Sequence, residues 1–288
     1  MSHSRITRRN ALKAGITALT AGAITKDLFA APRQEGETRV LFIMGDYYHG
    51  HLMHEHHWRE VLQQTGWRLF FTQYGQFVTP EVLNEMDMFI MIRGKGPDLL
   101  GFSPDGLVEH RAAPSDWMTD VQEDAIVENV HRGMALICMH GSLRQPDRLR
   151  LQKLVGVSNL PNHGPQQLVR FHSLNQNHPI TEGIKEFSAT DQPFAPAVIP
   201  EEVTPLFMGR PENIDEDDYA GWCLERGEGR IVAMLPGHGT NPITRAFYKK
   251  MMWRAAHWEL KRDIPEAEFV NGVNQWFDRE RKEIEQNY

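Results

Sequence analysis

The sequence predicts an α/β fold, a mostly parallel sheet flanked by helices, and three observations carry that prediction. The apolar run Met134-Ala135-Leu136-Ile137-Cys138-Met139, bounded by Gly133 and Gly141, reads as a strand buried on both faces. It stops on a polar group, His140, followed by the small residues Gly141 and Ser142. Two further apolar runs stop the same way. Val40-Leu41-Phe42-Ile43-Met44 leads into Gly45-Asp46-Tyr47-Tyr48-His49, and Ile231-Val232-Ala233-Met234-Leu235 leads into Pro236-Gly237-His238-Gly239. In an open parallel sheet the strand carboxyl ends lie along one edge, where ligands bind. Three such ends carrying histidine or aspartate therefore predict a site.

Composition bounds the rest. A chain of 288 residues, 41% hydrophobic, supports one substantial core with appendages. The net charge of −7 and the absence of a basic stripe exclude nucleic acid as an expected partner. Two cysteines make no disulfide framework, and Cys138 and Cys223 both fall within predicted strands. Fourteen histidines are many for this length, and they matter where they cluster.

Residues 1–31 read as a targeting segment. Arg8-Arg9 is followed by Leu12 and Lys13, then by a short apolar run at 14–24 and by small residues at Ala30-Ala31. This resembles a twin-arginine export signal, with Ala11 where such signals carry a large apolar residue. The run is too short for a membrane span, and the expected location is periplasmic or exported.

The first strand is expected at 40–44. A helix at 52–64 stops at Gly66, with Met53, His57 and Val61 on its core face and His54 and His56 in solvent. His49 and His51 precede that helix and are candidates for the site. A second strand covers 67–72. Thr79 caps a short helix opened by Pro80, and a third strand at 86–92 leads into Arg93-Gly94-Lys95. Residues 97–117, rich in glycine, proline and charge, read as a lid. A helix at 119–131 places Val121, Ala125, Ile126 and Val130 inward and delivers the chain to the strand ending at His140. A short helix at 149–155 and a loop with His163 follow. Strands are then expected at 168–172, 187–191 (ending on Asp191) and 206–209, with a hairpin around Gly227-Glu228-Gly229. One long helix at 242–260 shows an apolar stripe of Phe247, Met251, Ala255 and Trp258, and 261–288 reads as a polar tail or exposed helix.

Several marks recur in order along residues 39–260. They are Val40 to Asp46 with a following histidine, the passage from Gln122 to His140, and His178-Pro179-Ile180-Thr181-Glu182-Gly183-Ile184. Asp191 after Phe187, and Gly227-Glu228-Gly229-Arg230 leading to Gly237-His238-Gly239, complete the set. The succession resembles the ThuA-like, trehalose-utilisation family, whose fold is related to class I glutamine amidotransferases. The resemblance implies a flavodoxin-like three-layer sandwich over 38–260. It places His140 where an amidotransferase carries its nucleophilic cysteine, and His238 where such an enzyme carries its catalytic histidine. Cys138 lies two residues early, inside the strand, so glutamine hydrolysis by a Cys–His pair is not expected. No Gly-x-Ser-x-Gly elbow is present.

Histidines at the strand ends suit acid–base chemistry, and the resemblance implies that its substrate is an oxidised sugar. A ketone acidifies the neighbouring C–H bonds, and isomerisation, epimerisation or elimination needs a base and an enolate stabiliser. The expected catalytic groups are His140, His238, Asp46 and Asp191. Expected substrate contacts are Tyr47, Tyr48, His51, Arg93, Ser142 and His163, with Trp117 and Phe194 as further stacking surfaces. His49, His140 and His238 form the expected ligand set for a divalent metal such as zinc, and no other cofactor is expected. The resemblance further implies a 3-keto-trehalose-type substrate and a sugar dehydrogenase as working partner; a homo-oligomer is a further expectation that the sequence leaves open. The competing expectation is a non-catalytic sugar-binding or scaffold protein that keeps the fold without the nucleophile.

Overall fold

A computed structural model describes residues 33–46, 49–95, 117–159, 163–193, 197–198 and 201–271 of the chain. The export segment, Tyr47, Tyr48, the expected lid apart from Trp117, Phe194 and the tail beyond 271 lie outside the described residues. The chain divides into two units, Met1–Glu37 and Thr38–Tyr288. In the described part of the first, a turn is closed by the Gln34 N–H donating to the Glu37 carboxylate at 3.0 Å.

The strands of the second unit are β1 (Arg39–Ile43), β2 (Arg68–Thr72), β3 (Met88–Met91), β4 (Ala135–Met139), β5 (Val157–Asn159), β6 (Gln167–Ser173), β7 (Glu186–Asp191), β8 (Ala197–Val198), β9 (Thr204–Pro211), β10 (Asp218–Arg226) and β11 (Gly229–Met234). The helices are α1 (His51–Leu62), α2 (Pro80–Leu83), α3 (Asp120–His131), α4 (Leu149–Val155), α5 (Thr240–Ile243) and α6 (Ala246–Glu259). Nine strands form one sheet in the order β2-β1-β3-β4-β11-β10-β9-β6-β7, while β5 and β8 pair separately.

The sheet is mixed. Strands β2, β1, β3, β4 and β11 run parallel. Strands β10, β9, β6 and β7 extend it antiparallel. The hairpin at Gly227, whose φ of 57° suits glycine, starts that extension. The inner parallel strands β1, β3 and β4 are buried on both faces, which explains their apolar sequences. Val40, Phe42, Ile90 and Ile137 share one core with Trp58 of α1 and Tyr248 of α6. Their equally buried neighbours Leu41, Phe89 and Leu136 point to the opposite side, as strand alternation requires. The result is the three-layer α/β fold expected from the sequence. After β1 the chain turns to β2 on one side and later to β3 on the other, so the edge above β1 and β3 is a topological switch point.

The structure corrects four details. In α3, Val121 is 63% exposed and Gln122 is buried instead. The Gln122 amide earns that place by donating to the carbonyls of Gly75 (2.6 Å) and Val78 (2.9 Å) while completing a capping box with Thr119. In α1, His54 is buried with His57, Trp58 and Val61. The helix expected at 242–260 breaks: the Thr244 hydroxyl donates to the Asn241 carbonyl, competing with helix continuation, and Arg245 is extended. The restarted α6 consequently buries Tyr248, Met251, Met252, Ala255 and Ala256 and leaves Phe247 51% exposed.

Beyond α6, Ile264, Ala267 and Phe269 pack against the core, and the Trp253 indole donates to the Pro265 carbonyl at 2.9 Å. No helix among the described residues is long and apolar enough to cross a membrane.

Candidate active site at the strand carboxyl ends

The buried strand β4 ends at Met139, and His140 begins a single 3₁₀ turn. His140 has φ of 45°, a left-handed conformation that costs a residue with a Cβ roughly 1–2 kcal/mol. Strain of this kind persists where surrounding structure enforces it, commonly at functional sites. Here the enforcement is visible. The His140 Nδ1 donates to the Leu235 carbonyl at 2.9 Å, because a carbonyl only accepts. That bond ties the end of β4 to the end of β11 and turns Nε2 the other way.

His49 arrives from the end of β1, two strands from β4 in the sheet. The intervening end of β3 must be low for the two to meet. A Cβ at Gly94 would stand 2.5 Å from the Gly141 carbonyl oxygen, so only glycine lets the turn after β4 lie across it. His49 is held by Asp46, whose carboxylate accepts from His49 Nδ1 at 2.7 Å and from the His49 backbone N–H at 3.0 Å. This fixes the tautomer and directs Nε2 inward.

His238 arrives on the loop after β11. The Asp191 carboxylate, at the end of β7, accepts from the N–H groups of Gly237 and His238, each at 3.0 Å. The Tyr248 hydroxyl donates to the Pro236 carbonyl at 2.8 Å. Clamped on both sides, the loop places His238 Nδ1 3.1 Å from His49 Nε2 and 3.2 Å from His140 Nε2. The three ligand-type nitrogens all lie within 4.8 Å of one another.

Burial keeps the His140 and His238 rings neutral. Burial, then His49, holds the His140 imidazole well below its ordinary value. Burial, then His49, lowers His238 to about 4. His54, on α1, falls to about 3 by burial, and neither of its ring nitrogens has a hydrogen-bond partner among the described residues. Burial raises Asp191 to about 7, opposed by backbone N–H groups of Gly237, Gln192, His238 and Gly239.

The structure thus brings His140, His238 and His49 together, and sets Asp46 and Asp191 behind them as buried anchors rather than at the rim. His163 is exposed, with its ring centroid 5.7 Å from that of His238. Ser142 is fully buried in the turn after His140, and its hydroxyl has no hydrogen-bond partner among the described residues. His51 instead opens α1 against Gly45, where a Cβ would stand 2.7 Å from the His51 Cβ. Arg93 is buried and donates to the Gln73 carbonyl, facing a groove of about 470 Å³ shared with Tyr74 and Trp117. Cys138 lies 1% exposed within β4, its thiol pushed far up by burial. Sequence reasoning missed His54, because its helix is buried over a wider face than the i, i+4 spacing suggests. It also missed Gly94, whose role depends on a contact distant in sequence.

The family model for ThuA, trehalose utilisation, matches residues 39–259. A ThuA-like protein from Bacteroides uniformis superposes with a TM-score of 0.59 at 15% identity, over 81% of this chain and 96% of its own. A ThuA-like protein from Parabacteroides merdae does so with a TM-score of 0.58 at 14% identity, over 80% and 93%. A glutamine amidotransferase from Thermotoga maritima, at 15% identity and a TM-score of 0.44 over 78% and 84%, is a more distant likeness. No curated protein matches the sequence.

Proposed function

This chain belongs to the ThuA trehalose-utilisation family, and from that premise we propose that it is a sugar-metabolism enzyme acting on keto-glycosides, 3-keto-trehalose or a related keto sugar. The observation that carries the reading is the meeting of His49, His140 and His238 at the strand carboxyl edge, with His140 and His238 kept neutral by burial. A neutral imidazole holds a lone pair for a proton at pH 7. Beside a carbonyl, that lone pair removes the acidified C–H proton and leaves an enolate. Return of the proton to the other face gives the epimer, and return to the neighbouring carbon after enediol formation gives the isomer. Loss of the glycosidic oxygen from the carbon next to the carbanion gives elimination, the proton passing to the departing alcohol. The enolate oxygen needs a positive partner, either a donor N–H or an ion held by the same histidines. Cys138 supports no nucleophilic alternative, since it is buried in β4 and its thiol stays protonated.

The substrate implies a dehydrogenase that oxidises the sugar beforehand. The paired Arg8-Arg9 supports export by the twin-arginine route, and replacing both with lysine is expected to retain the protein in the cytoplasm. The reaction is tested by incubating the protein with 3-keto-trehalose in deuterated water. Deuterium entering the carbons next to the ketone, faster than the spontaneous rate, is the expected result. Exchange at the spontaneous rate, with binding intact, would make the protein a sugar binder.

A further inference from the structure

We propose that His49 Nε2, His140 Nε2 and His238 Nδ1 bind one divalent transition-metal ion of the imidazole-preferring kind, for which zinc is the probe. The inference deepens the proposed function: with the ion bound, these three lone pairs would be its ligands, and a water acidified at the open position would take the substrate proton in place of a free imidazole.

Distance is the first argument. An ion about 2.0–2.1 Å from each imidazole nitrogen in a tetrahedral shell sets neighbouring nitrogens roughly 3.3–3.4 Å apart. His238 Nδ1 stands 3.1 Å from one Nε2 and 3.2 Å from the other. The third pair, His49 Nε2 and His140 Nε2, lies within 4.8 Å, so the three nitrogens gather at the scale of one coordination shell.

Proton counting is the second. His49 Nδ1 gives its hydrogen to the Asp46 carboxylate and His140 Nδ1 gives its own to the Leu235 carbonyl. The tautomer these bonds set places the lone pair of each ring on Nε2, aimed at His238 Nδ1. His238 supplies at most one hydrogen from that nitrogen, so one proton is shared among three nitrogens at hydrogen-bond distance. A cation at their centre satisfies all three at once.

The supporting groups are the third. Metal-bound histidines donate their second ring N–H to a carboxylate or a backbone carbonyl, which orients the ring. His49 and His140 do each of these. His238 is oriented through its backbone by Asp191. Three protein ligands leave a fourth tetrahedral position for water or a substrate oxygen, the arrangement of catalytic rather than structural zinc.

The test uses full-length protein stripped with chelator and titrated with zinc, bound metal being counted after dialysis. Wild type should hold one zinc per chain, and cobalt in its place should give the visible absorption of a tetrahedral site. His56→Ala should leave binding unchanged. His140→Ala and His238→Ala should abolish it, while Asp46→Asn, which keeps all three ligands, should weaken it about 10–100-fold. Wild type without stoichiometric zinc overturns the proposal, as does either alanine variant, folded by circular dichroism, binding like wild type. Should those variants not fold, unchanged affinity in Asp46→Asn overturns it. Zinc binding without deuterium exchange would keep the ion and remove the keto-sugar reaction, and exchange without zinc would do the reverse.

Discussion

Among the described residues, two histidine clusters bring ligand-type atoms within 4.8 Å: His49, His140 and His238, and His56, His57 and Glu60. The first is assembled from three strand ends far apart in sequence, the second from neighbouring positions of one helix, α1. In the first, the outward nitrogens of His49 and His140 are bonded to Asp46 and Leu235, so the inward ones converge. In the second, Glu60 is already engaged by the Lys249 ammonium at 2.6 Å and by His57 Nδ1 at 3.4 Å, and His56 is exposed. A cation there would compete with a buried lysine. Proximity is common to both clusters, and prior commitment of the atoms separates them.

The largest effect should come from breaking the first cluster. His140→Ala and His238→Ala are expected to slow solvent exchange by about 10²–10⁴-fold, the usual worth of a positioned acid or base. His56→Ala should leave the rate unchanged, and an equal loss there would erase the distinction.

Breaking the second cluster should cost stability instead. Lys249→Met removes a fully buried ammonium from its partner. The expected loss is about 1–3 kcal/mol in urea unfolding, below the roughly 3–5 kcal/mol of a wholly buried pair, because Glu60 keeps some solvent access. The exchange rate should not move.

His54 sharpens the comparison, since it lies between the clusters on α1 and belongs to neither. Its folded value of about 3 lies below its ordinary value of 6.5. Above pH 6.5 both folded and unfolded forms are neutral, and the shift costs nothing. As pH falls below 6.5 the unfolded chain takes up the proton and the folded one does not, until about pH 3. This residue should therefore erode stability by about 1.4 kcal/mol per pH unit across that window. In His54→Leu the urea midpoint should fall less steeply with acid than in wild type, and an unchanged slope would contradict the burial of the neutral ring.

The smallest effect belongs to Cys138→Ala, which should cost about 0.5–1.5 kcal/mol for the small cavity in β4 and leave exchange intact. Complete loss of activity in a folded Cys138→Ala would restore a cysteine mechanism.

Much of this was legible in the sequence. Unbroken apolar runs such as residues 134–139 mark strands buried on both faces, and a parallel sheet aligns their ends, so His49, His140 and His238 could be grouped before any coordinates. The division of labour was not legible. Asp46 and Asp191 stand at strand ends like the histidines, and only their hydrogen bonds show that they anchor His49 and the His238 loop. Gly94 reads as a loop residue, and its need to be glycine arises from Gly141, 47 positions later. The one-residue shift of the buried face in α3 follows from Gln122 bonding to carbonyls of another segment, which periodicity cannot register.

The most direct measurement is a crystal structure of zinc-soaked wild-type protein with anomalous data collected on both sides of the zinc edge. The account predicts one peak, about 2.0–2.1 Å from His49 Nε2, His140 Nε2 and His238 Nδ1. An absent peak, or one on His56, His57 and Glu60 with none at the strand ends, would contradict it.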